Sequence, residues 1–155
     1  MNENSKVHTC LWFEKGGLEA AKFYVSLLPD SRIESEYPAE DGKEPLTVEF
    51  TLAGAPYQIL NGGDYYKLTP VASISVLTDD QEETDRLWSA LLADGGEESH
   101  CGWIADRFGV TWQIAPRALV RAITSPDLVA AERARQAMMT MRKIDIATIE
   151  KAFNG

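Results

Sequence analysis

The sequence Gly109-Val110-Thr111-Trp112-Gln113-Ile114-Ala115 decides the fold, because an earlier stretch of the chain repeats its pattern. That earlier stretch is Gly54-Ala55-Pro56-Tyr57-Gln58-Ile59-Leu60. Both run from a glycine through small or β-branched residues to an aromatic residue, a glutamine, an isoleucine and an aliphatic residue. A strand-like stretch that follows a glycine turn at two places predicts a structural unit that occurs twice.

The helices that precede these two strands match as well. Residues 23–28 correspond to residues 87–92 at an offset of 64, whereas residues 54–60 correspond to residues 109–115 at an offset of 55. The difference of nine is about the length of the charged stretch around residues 40–44. An insertion there in the first unit therefore reconciles the two offsets.

Hydrophobic periodicity predicts the elements of the first unit, with alternation indicating strands and three-to-four spacing indicating a helix. The helix should end before Pro29, because the residue before a proline resists the helical conformation. The predicted elements are a strand at 7–13, a helix at 18–28, a strand at 32–37, a surface loop at 38–45 and strands at 46–52 and 56–60.

The second unit repeats this plan and continues into a helical tail. Its helix should begin at Thr78, Asp79 or Asp80, with glutamates reaching back as capping partners, and should leave through Gly95-Gly96. The predicted elements are strands at 71–77, 100–105 and 110–115, a helix at 81–94, and tail helices capped by Ser125 and Asp145, the first with a stripe of Leu128, Ala131, Ala134, Met138 and Met141.

We therefore predict one α+β domain over residues 1–155. It consists of two tandem βαβββ modules, at about residues 6–64 and 70–116, followed by C-terminal helices at residues 117–155. A chain of this length can bury enough apolar surface to fold without disulfides.

The composition is typical of a soluble globular protein: 45% of the residues are hydrophobic and 25% are charged. With a formal charge of −9 and scattered basic residues, we expect no binding to nucleic acid or to a membrane. The N-terminal residues lack the apolar core of a signal peptide, so we expect a cytoplasmic protein. Cys10 and Cys101 lack metal-type spacing and should be buried thiols.

Five motifs make the chain similar to a known family: Cys10-Leu11-Trp12-Phe13-Glu14, Phe23-Tyr24-Val25-Ser26-Leu27, Leu60-Asn61-Gly62-Gly63, Cys101-Gly102-Trp103 and Asp106-Arg107-Phe108-Gly109. With the tandem βαβββ units, they resemble the vicinal oxygen chelate, or glyoxalase/bleomycin-resistance, superfamily. More narrowly, they resemble its PhnB-like branch, which carries the label 3-demethylubiquinone-9 3-methyltransferase. The resemblance covers nearly the whole chain, including the tail. It implies a glyoxalase-like half-open barrel around a shared cup, often completed by a homodimer.

The resemblance also implies a divalent metal in the cup, held by side chains on the first and last strand of each unit. In this sequence the histidine position is His8, but both carboxylate positions are amides, Gln58 and Gln113. The remaining position falls at residues 71–73, where no strong ligand occurs. A neutral amide oxygen offsets little of the cost of dehydrating a dication, so we favour a cup without a metal or other cofactor.

A different ligand set would restore a metal site. If the second hairpin pairs Ala105 with Val110, Gly102 lies opposite Gln113, and His100 shares the face of Gln113. By the same reasoning Glu49 lies opposite Gln58. The cup would then contain three candidate ligands, His8, Glu49 and His100.

The same register places Trp103 opposite Trp112 on the helix side, as a core contact. Trp12 shares a face with His8 and should point into the cup, where it could stack on a flat ligand. The stretch Asn61-Gly62-Gly63 offers a polar side chain and close backbone approach at the rim, or serves as a structural turn.

Two functions remain open. The first is a small-molecule-binding protein whose candidate ligand-binding residues are His8, Trp12, Glu49, Gln58, Asn61, His100 and Gln113. The second is a metal-dependent lyase, isomerase or dioxygenase of the vicinal oxygen chelate type. Methyl transfer is disfavoured, because the chain lacks the glycine-rich turn between a parallel strand and a helix that nucleoside cofactors require.

Overall fold

The computed structural model describes residues 6–38 and 43–155. The chain forms two compact units, one ending at Leu68 and the other running from Thr69 to Gly155. Of the loop expected at residues 38–45, positions 39–42 lie outside the described residues. The structure describes no helix that is both long and apolar enough to cross a membrane.

The first unit is a four-stranded sheet with one helix. Its elements are β1 (Thr9–Phe13), α1 (Gly17–Leu27), β2 (Arg32–Tyr37), β3 (Thr47–Leu52) and β4 (Ala55–Asn61). The strand order is β1-β4-β3-β2, with β1 and β4 parallel and the other two pairs antiparallel. This is the predicted βαβββ module.

The helix α1 packs on one face of this sheet because apolar residues alternate along the strands. Tyr24 of α1 lies 6.3 Å from Phe50 of β3, measured between ring centroids. Residues directly opposite each other on neighbouring strands share a face. The buried side of the sheet therefore consists of Phe13, Val48, Phe50, Leu52 and Ile59.

Individual residues determine where α1 begins and ends. Gly16 has a left-handed φ of 81°, and a Cβ atom at Gly17 would lie 2.4 Å from Cγ2 of Ile59, so only glycine lets the helix approach β4 this closely. At the other end, Leu28 precedes Pro29 and is extended (φ −129°, ψ 145°), which confirms the predicted end of the helix.

The second unit repeats the module. Its elements are β5 (Ser73–Thr78), α2 (Gln81–Leu92), β6 (Glu97–Glu98), β7 (Trp103–Ala105) and β8 (Thr111–Pro116). The strand order is β5-β8-β7-β6, again with one parallel pair, β5 and β8, and two antiparallel pairs. The two-residue strand β6 lies outside the stretches in which periodicity predicts a strand.

The caps of α2 confirm the prediction. Asp80 Oδ1 accepts a hydrogen bond from Glu83 N at 2.8 Å, and Glu83 Oε2 accepts one from Asp79 N at 2.8 Å, so the two side chains satisfy N–H groups reciprocally. After the helix, Asp94 and Gly95 take positive φ values of 58° and 112°. The inward residues are Thr84, Leu87, Trp88 and Leu91.

The hairpin of β7 and β8 has a register one residue away from the predicted one. Trp103 pairs with Gln113, and Ile104 pairs with Trp112. The predictions that Gly102 lies opposite Gln113 and that Trp103 packs against Trp112 in the core are therefore wrong. Because partners share a face, Trp103 lies on the face of Gln113 instead.

The turn between these strands explains the shift. Asp106 N donates to Val110 O at 2.9 Å, and Asp106 Oδ1 accepts from Phe108 N at 2.9 Å and Val110 N at 3.0 Å. Asp106 thus stands across from Val110, in the place that the prediction gave to Ala105. Its carboxylate satisfies N–H groups that the turn would otherwise leave without partners.

Strand β7 also begins later than the strand predicted at residues 100–105. Trp103 N donates to His100 O at 3.0 Å across a turn in which Cys101 and Gly102 have φ values of 57° and 82°. Two successive positive φ angles are typical of a type I′ hairpin turn. His100 therefore belongs to a turn, not to a strand.

The tail forms three helices within the second unit, α3 (Arg117–Ile123), α4 (Leu128–Met139) and α5 (Ile146–Asn154). The predicted cap of α4 at Ser125 is wrong, because Asp127 caps it by accepting two backbone N–H groups of its first turn. The predicted cap of α5 is confirmed, since Asp145 Oδ1 accepts from Thr148 N at 2.7 Å.

Only part of the predicted stripe of α4 is buried. Ala131 and Ala134 are buried, but Leu128 is 78% exposed because it stands at the first helical position. Met138 and Met141 pack against the edge of the tail core. That core consists of Leu119, Ala122, Ala134, Ile144 and Ile149.

The segment that joins α4 to α5 is bonded to the sheet by its backbone; we call residues 141–146 the tail link. Cys101 N donates to Met141 O at 2.8 Å, and Gly102 N donates to Arg142 O at 2.7 Å. Gln81 of α2 holds its other end, by donating to the carbonyl of residue 144 and accepting the N–H of residue 146.

Candidate functional site

Gln58 lies at the centre of one face of the first sheet, the face turned away from α1. Its register partners are Cys10 of β1 and Glu49 of β3, and Ser35 of β2 pairs with Glu49. These four side chains form a row across the sheet, and Trp12 begins the next row. The predicted pairing of Glu49 with Gln58 is confirmed. We call this surface the Gln58 face; it consists of Cys10, Trp12, Ser35, Thr47, Glu49, Gln58 and Leu60.

The amide of Gln58 is half-buried and makes no hydrogen bond with another residue that the structure describes. Glu49 is half-buried too, and its Oε2 accepts a hydrogen bond from Ser35 Oγ at 3.0 Å. Polar groups in such positions are normally paired with protein or with water. The amide of Gln58 therefore has a donor and an acceptor to offer to a small molecule.

Trp12 is fixed on this face by its surroundings. Its Nε1 donates to Gly63 O at 2.9 Å, and a Cβ atom at Gly62 would lie 2.4 Å from its six-membered ring. The close backbone approach expected at Gly62-Gly63 is thus made by Trp12. Tyr66 packs edge-on against Trp12, with 5.0 Å between ring centroids.

Gln113 occupies the equivalent place in the second unit. Its register partners are Ser75 of β5 and Trp103 of β7, and its Nε2 donates to Ser73 Oγ at 2.7 Å. Gln113 and Trp103 are both half-buried. We call this surface the Gln113 face; it consists of Ser73, Ser75, Trp103 and Gln113.

The two registers confirm the duplicated plan. Gln58 and Gln113 stand 55 positions apart, as the sequence match predicts, and each lies between two register partners on the neighbouring strands. His8 lies two residues before Cys10, the partner of Gln58, and Ser73 lies two residues before Ser75, the partner of Gln113. Ser73 is therefore the counterpart of His8. The counterpart of Glu49 is Trp103, so the second unit has an indole where the first has a carboxylate.

The two histidines lie outside the strands that form these faces. His8 precedes β1 and is exposed, and His100 is exposed in the type I′ turn before β7. The expectation that His100 shares the face of Gln113 is wrong, because the chain turns at His100 before β7 begins.

Asn61 lies on the helix side of β4, away from Gln58. Its Oδ1 accepts from Gly17 N at 3.0 Å, and its Nδ2 donates to Pro45 O at 2.7 Å. The amide thus connects the start of α1 to the segment before β3. Of the two interpretations given to the Asn61 turn, these bonds favour the structural one.

The cysteines differ from the expectation of buried thiols, since Cys10 is exposed and Cys101 is half-buried. In Cys10, partial burial of the thiol raises its pKa above the ordinary value. A raised pKa keeps the sulfur protonated at neutral pH, and the neutral thiol is a poor nucleophile. Cys10 is therefore better suited to contact a ligand than to attack one.

The donors on these faces do not fit a divalent metal. On the Gln58 face one carboxylate, already bonded to Ser35, stands beside a neutral amide and a single cysteine. The Gln113 face offers an amide, two hydroxyls and an indole. Hard cations need several charged oxygens. Across residues 6–38 and 43–155, no three His, Cys, Asp or Glu side chains form a group that could hold a metal ion.

Periodicity missed three residues that the structure places beside the predicted ones. Trp103 lies on the Gln113 face and not in the core, because Asp106 pairs with Val110 at the turn. Ser73 lies at the predicted position of a missing ligand and bonds to Gln113. Tyr66 lies in a stretch without periodicity, where only the pair of adjacent tyrosines could have indicated a surface role.

Comparison with known proteins identifies a family that this chain matches. The family model described as 3-demethylubiquinone-9 3-methyltransferase matches residues 5–115. The structure of the PhnB protein from Bacillus cereus is 30% identical in sequence, covers 72% of this chain and 99% of its own, and has a TM-score of 0.63. No curated protein matches the chain.

Two further structures share the fold at lower identity. Protein PA1353 from Pseudomonas aeruginosa is 23% identical, with 73% of this chain and 98% of that chain covered and a TM-score of 0.59. The fosfomycin resistance protein FosX from Mesorhizobium loti is 14% identical, with 72% and 90% covered and a TM-score of 0.53. These likenesses confirm the predicted glyoxalase-like α+β fold. The family match ends at residue 115, so the tail lies outside it, contrary to the expected extent of the resemblance.

Proposed function

This chain belongs to the 3-demethylubiquinone-9 3-methyltransferase family, and on that premise we propose that it binds a small organic molecule on its Gln58 face and, separately, offers a like surface on its Gln113 face. One observation carries the proposal: the half-buried amide of Gln58, in the middle of a polar row, bonds to no other described residue. Half-buried amides are normally satisfied, and a bound ligand would satisfy this one. Trp12 on the first face and Trp103 on the second add aromatic surface beside each amide.

The proposed binding uses no metal. An amide donates and accepts hydrogen bonds with neutral polar groups, but it contributes no charge to offset the dehydration of a dication. On each face the chain's own residues would orient a ligand: Gln58 or Gln113 through hydrogen bonds, and the indole of that face, Trp12 or Trp103, by stacking. No reaction step follows from these groups.

A second candidate is a metal-dependent lyase, isomerase or dioxygenase of the vicinal oxygen chelate type. The observation that favours it is the position of Glu49, a carboxylate directly across from Gln58 on the neighbouring strand. The fold neighbours include FosX from Listeria monocytogenes complexed with Mn(II), at 15% identity and a TM-score of 0.53, a likeness that bears on the fold alone.

Methyl transfer, which the family description names, is not proposed. The one glycine pair between a strand and a helix is Gly16-Gly17, and it lacks the spacing of a nucleotide-binding turn. The N–H of Gly17 is already bonded to Asn61, and Ile59 fills the space above it. A phosphate or carboxylate of a cofactor would have to displace both contacts.

A thermal-shift screen with small aromatic and polar molecules tests the proposal, followed by calorimetry on the compounds that raise Tm. We expect Gln58→Ala to weaken binding on the Gln58 face, and Gln113→Ala to weaken binding on the Gln113 face, by about tenfold each, the value of one to two hydrogen bonds. Ser26→Ala, on the exposed side of α1, is the matched control. Compounds that bind the two glutamine variants as tightly as the parent protein would place the site elsewhere.

The metal candidate has its own test. If no metal is used, Mn²⁺, Zn²⁺ and Ni²⁺ leave Tm unchanged, and a chelator leaves both Tm and ligand affinity unchanged. A stabilisation by one metal that Glu49→Gln abolishes would support the second candidate instead.

A further inference from the structure

The segment after β4 carries an exposed aromatic group. Tyr65 is 80% exposed and Tyr66 is 59% exposed. The rings of Tyr65 and Tyr66 are perpendicular at 4.8 Å between centroids, and Tyr66 continues edge-on to Trp12 at 5.0 Å. We call these three residues the aromatic ledge. Contiguous exposed aromatic surface, unlike a single exposed ring, is typical of a binding site.

The ledge is held in place before any ligand arrives. Trp12 Nε1 donates to Gly63 O, and the bare backbone of Gly62 lies against its ring. After the tyrosines, Lys67 Nζ pairs with Glu14 Oε2 at 2.8 Å. A surface that is already ordered loses little conformational entropy on binding, which favours affinity for a small ligand.

The charge beside the ledge is negative. Trp12 lies on the Gln58 face, two strands from Glu49 and two residues further along, which corresponds to about 12 Å between their backbones. The side chains of Trp12 and Glu49 both extend from the same face, so a two-ring ligand can contact both. Two of the nearby cations are already paired, Arg32 with Glu34 and Lys67 with Glu14. Among the described residues, Glu49 carries the unpaired charge of this face.

We propose that the Gln58 face takes a planar organic cation, an aromatic ring that bears a quaternary or protonated nitrogen. This inference rests on the proposed function, since it names the ligand class of that site. The faces of tryptophan and tyrosine attract cations, Glu49 supplies the opposite charge, and Gln58 bonds to a polar substituent. An anion such as the phosphonate bound by FosX from Listeria monocytogenes would meet Glu49 and no unpaired cation of the described face.

Three probes that differ in charge but share one ring system test the ligand class. These are 1-methylquinolinium, quinoline and quinoline-8-sulfonate, titrated into the full chain at neutral pH and low salt by calorimetry. We expect the cation to bind at least about threefold more tightly than neutral quinoline, and the sulfonate to bind most weakly.

Two variants separate the parts of the site. Glu49→Gln should remove most of the difference in affinity between the cation and the neutral probe. Tyr66→Leu should weaken both probes, because it removes ring surface and not charge. The matched control is Glu36→Gln, which changes the same charge on the neighbouring strand but at a position opposite Val48, on the other face.

The outcomes distinguish this inference from the proposed function. Equal affinity for cation and neutral probe, or a preference that survives Glu49→Gln, overturns the ligand class but leaves small-molecule binding intact. If none of the three probes binds but the thermal-shift screen finds other ligands, the ligand class is wrong and the proposed function stands. If the broader screen finds no ligand either, both proposals fail.

Discussion

Asp106 shows how a single buried charge fixes the second hairpin. It is 3% exposed, the one charged side chain among the buried residues that the structure describes. Besides the two N–H groups of its turn, it accepts from Trp112 Nε1 through Oδ2 at 2.8 Å. The motif Asp106-Arg107-Phe108-Gly109 thus begins with a structural anchor for β8, the strand that presents Gln113.

Replacing this anchor should be costly. Asp106→Ala leaves three donors without their acceptor, so we expect a loss of about 3 kcal/mol in the free energy of unfolding. Urea denaturation followed by tryptophan fluorescence measures it, because Trp112 reports on the site. Glu82→Ala, which removes an exposed carboxylate on α2 away from this turn, is the control. A loss below 1 kcal/mol would mean that the turn is fixed by its backbone alone.

At the scale of elements, α1 depends on the closest contact it makes. Replacing a glycine within a helix by alanine ordinarily stabilises a protein by about 0.5–1 kcal/mol. Gly17 stands at the start of α1 with Ile59 and Asn61 2.4 Å and 2.6 Å from where a Cβ atom would be. At Gly17 we therefore expect alanine to lower the stability of the protein.

We expect Gly17→Ala to destabilise the protein by about 1–3 kcal/mol, the usual cost of overpacking. Thermal and urea unfolding of the variant, beside Ser26→Ala in the same helix, measure the effect. A stabilised variant would show that β4 can move away from α1, and would contradict the close packing described.

The tail link adds a pH dependence. Hydrogen bonds from Lys143 and Gln81 hold the pKa of Asp85 below its ordinary value, and the bond from Thr148 does the same for Asp145. A carboxylate whose pKa is depressed on folding contributes stability that is present at neutral pH. That contribution is lost as the pH falls through the lowered pKa, in the acidic range below about 4.

Asp85→Asn should accordingly be less stable than the parent at neutral pH by less than about 1 kcal/mol, since the ion pair with Lys143 is partly exposed. The difference should vanish in acid, where the parent's Asp85 is protonated. Unfolding curves at several pH values measure it, with Glu82→Gln on the same helix as the control. A gap that stays constant with pH would contradict the role given to the ion pair.

These elements also show what the sequence could and could not reveal. The repeat around Gln58 and Gln113 predicted both modules, because alternation and glycine turns are local signals. The register of β7 and β8 was missed because it depends on whether Asp106 belongs to the turn or to the ladder. Periodicity does not record the hydrogen bonds of a side chain. Trp103 lies on the Gln113 face because Asp106 belongs to the turn.

For the whole molecule, the tail is part of the second unit although it lies outside the family match. Ile144 is fully buried in the tail core, and its Cγ1 is 3.2 Å from where a Cβ atom of Gly102 would be. The tail therefore shares packing with the sheet beside β7. It should unfold together with that sheet and not before it.

Ile144→Ala should lower the free energy of unfolding of the second unit by about 2–4 kcal/mol. Fluorescence of the buried Trp88 and Trp112 and far-ultraviolet circular dichroism should report one common transition. Leu128→Ala, on an exposed position of α4, is the control. A separate, earlier loss of helix signal in the variant would show that the tail is an independent element.

The strand order of each unit has a consequence for protein synthesis. Cys10 pairs with Gln58, 48 positions further on, and Ser75 pairs with Gln113, 38 positions further on. On the ribosome, the first strand of each unit therefore emerges long before the strand that will flank it. In that interval its edge is open to association with other nascent chains. A translational pause once β4 or β8 has left the ribosome would let the sheet of that unit form, whereas an earlier pause would prolong the exposure of its first strand.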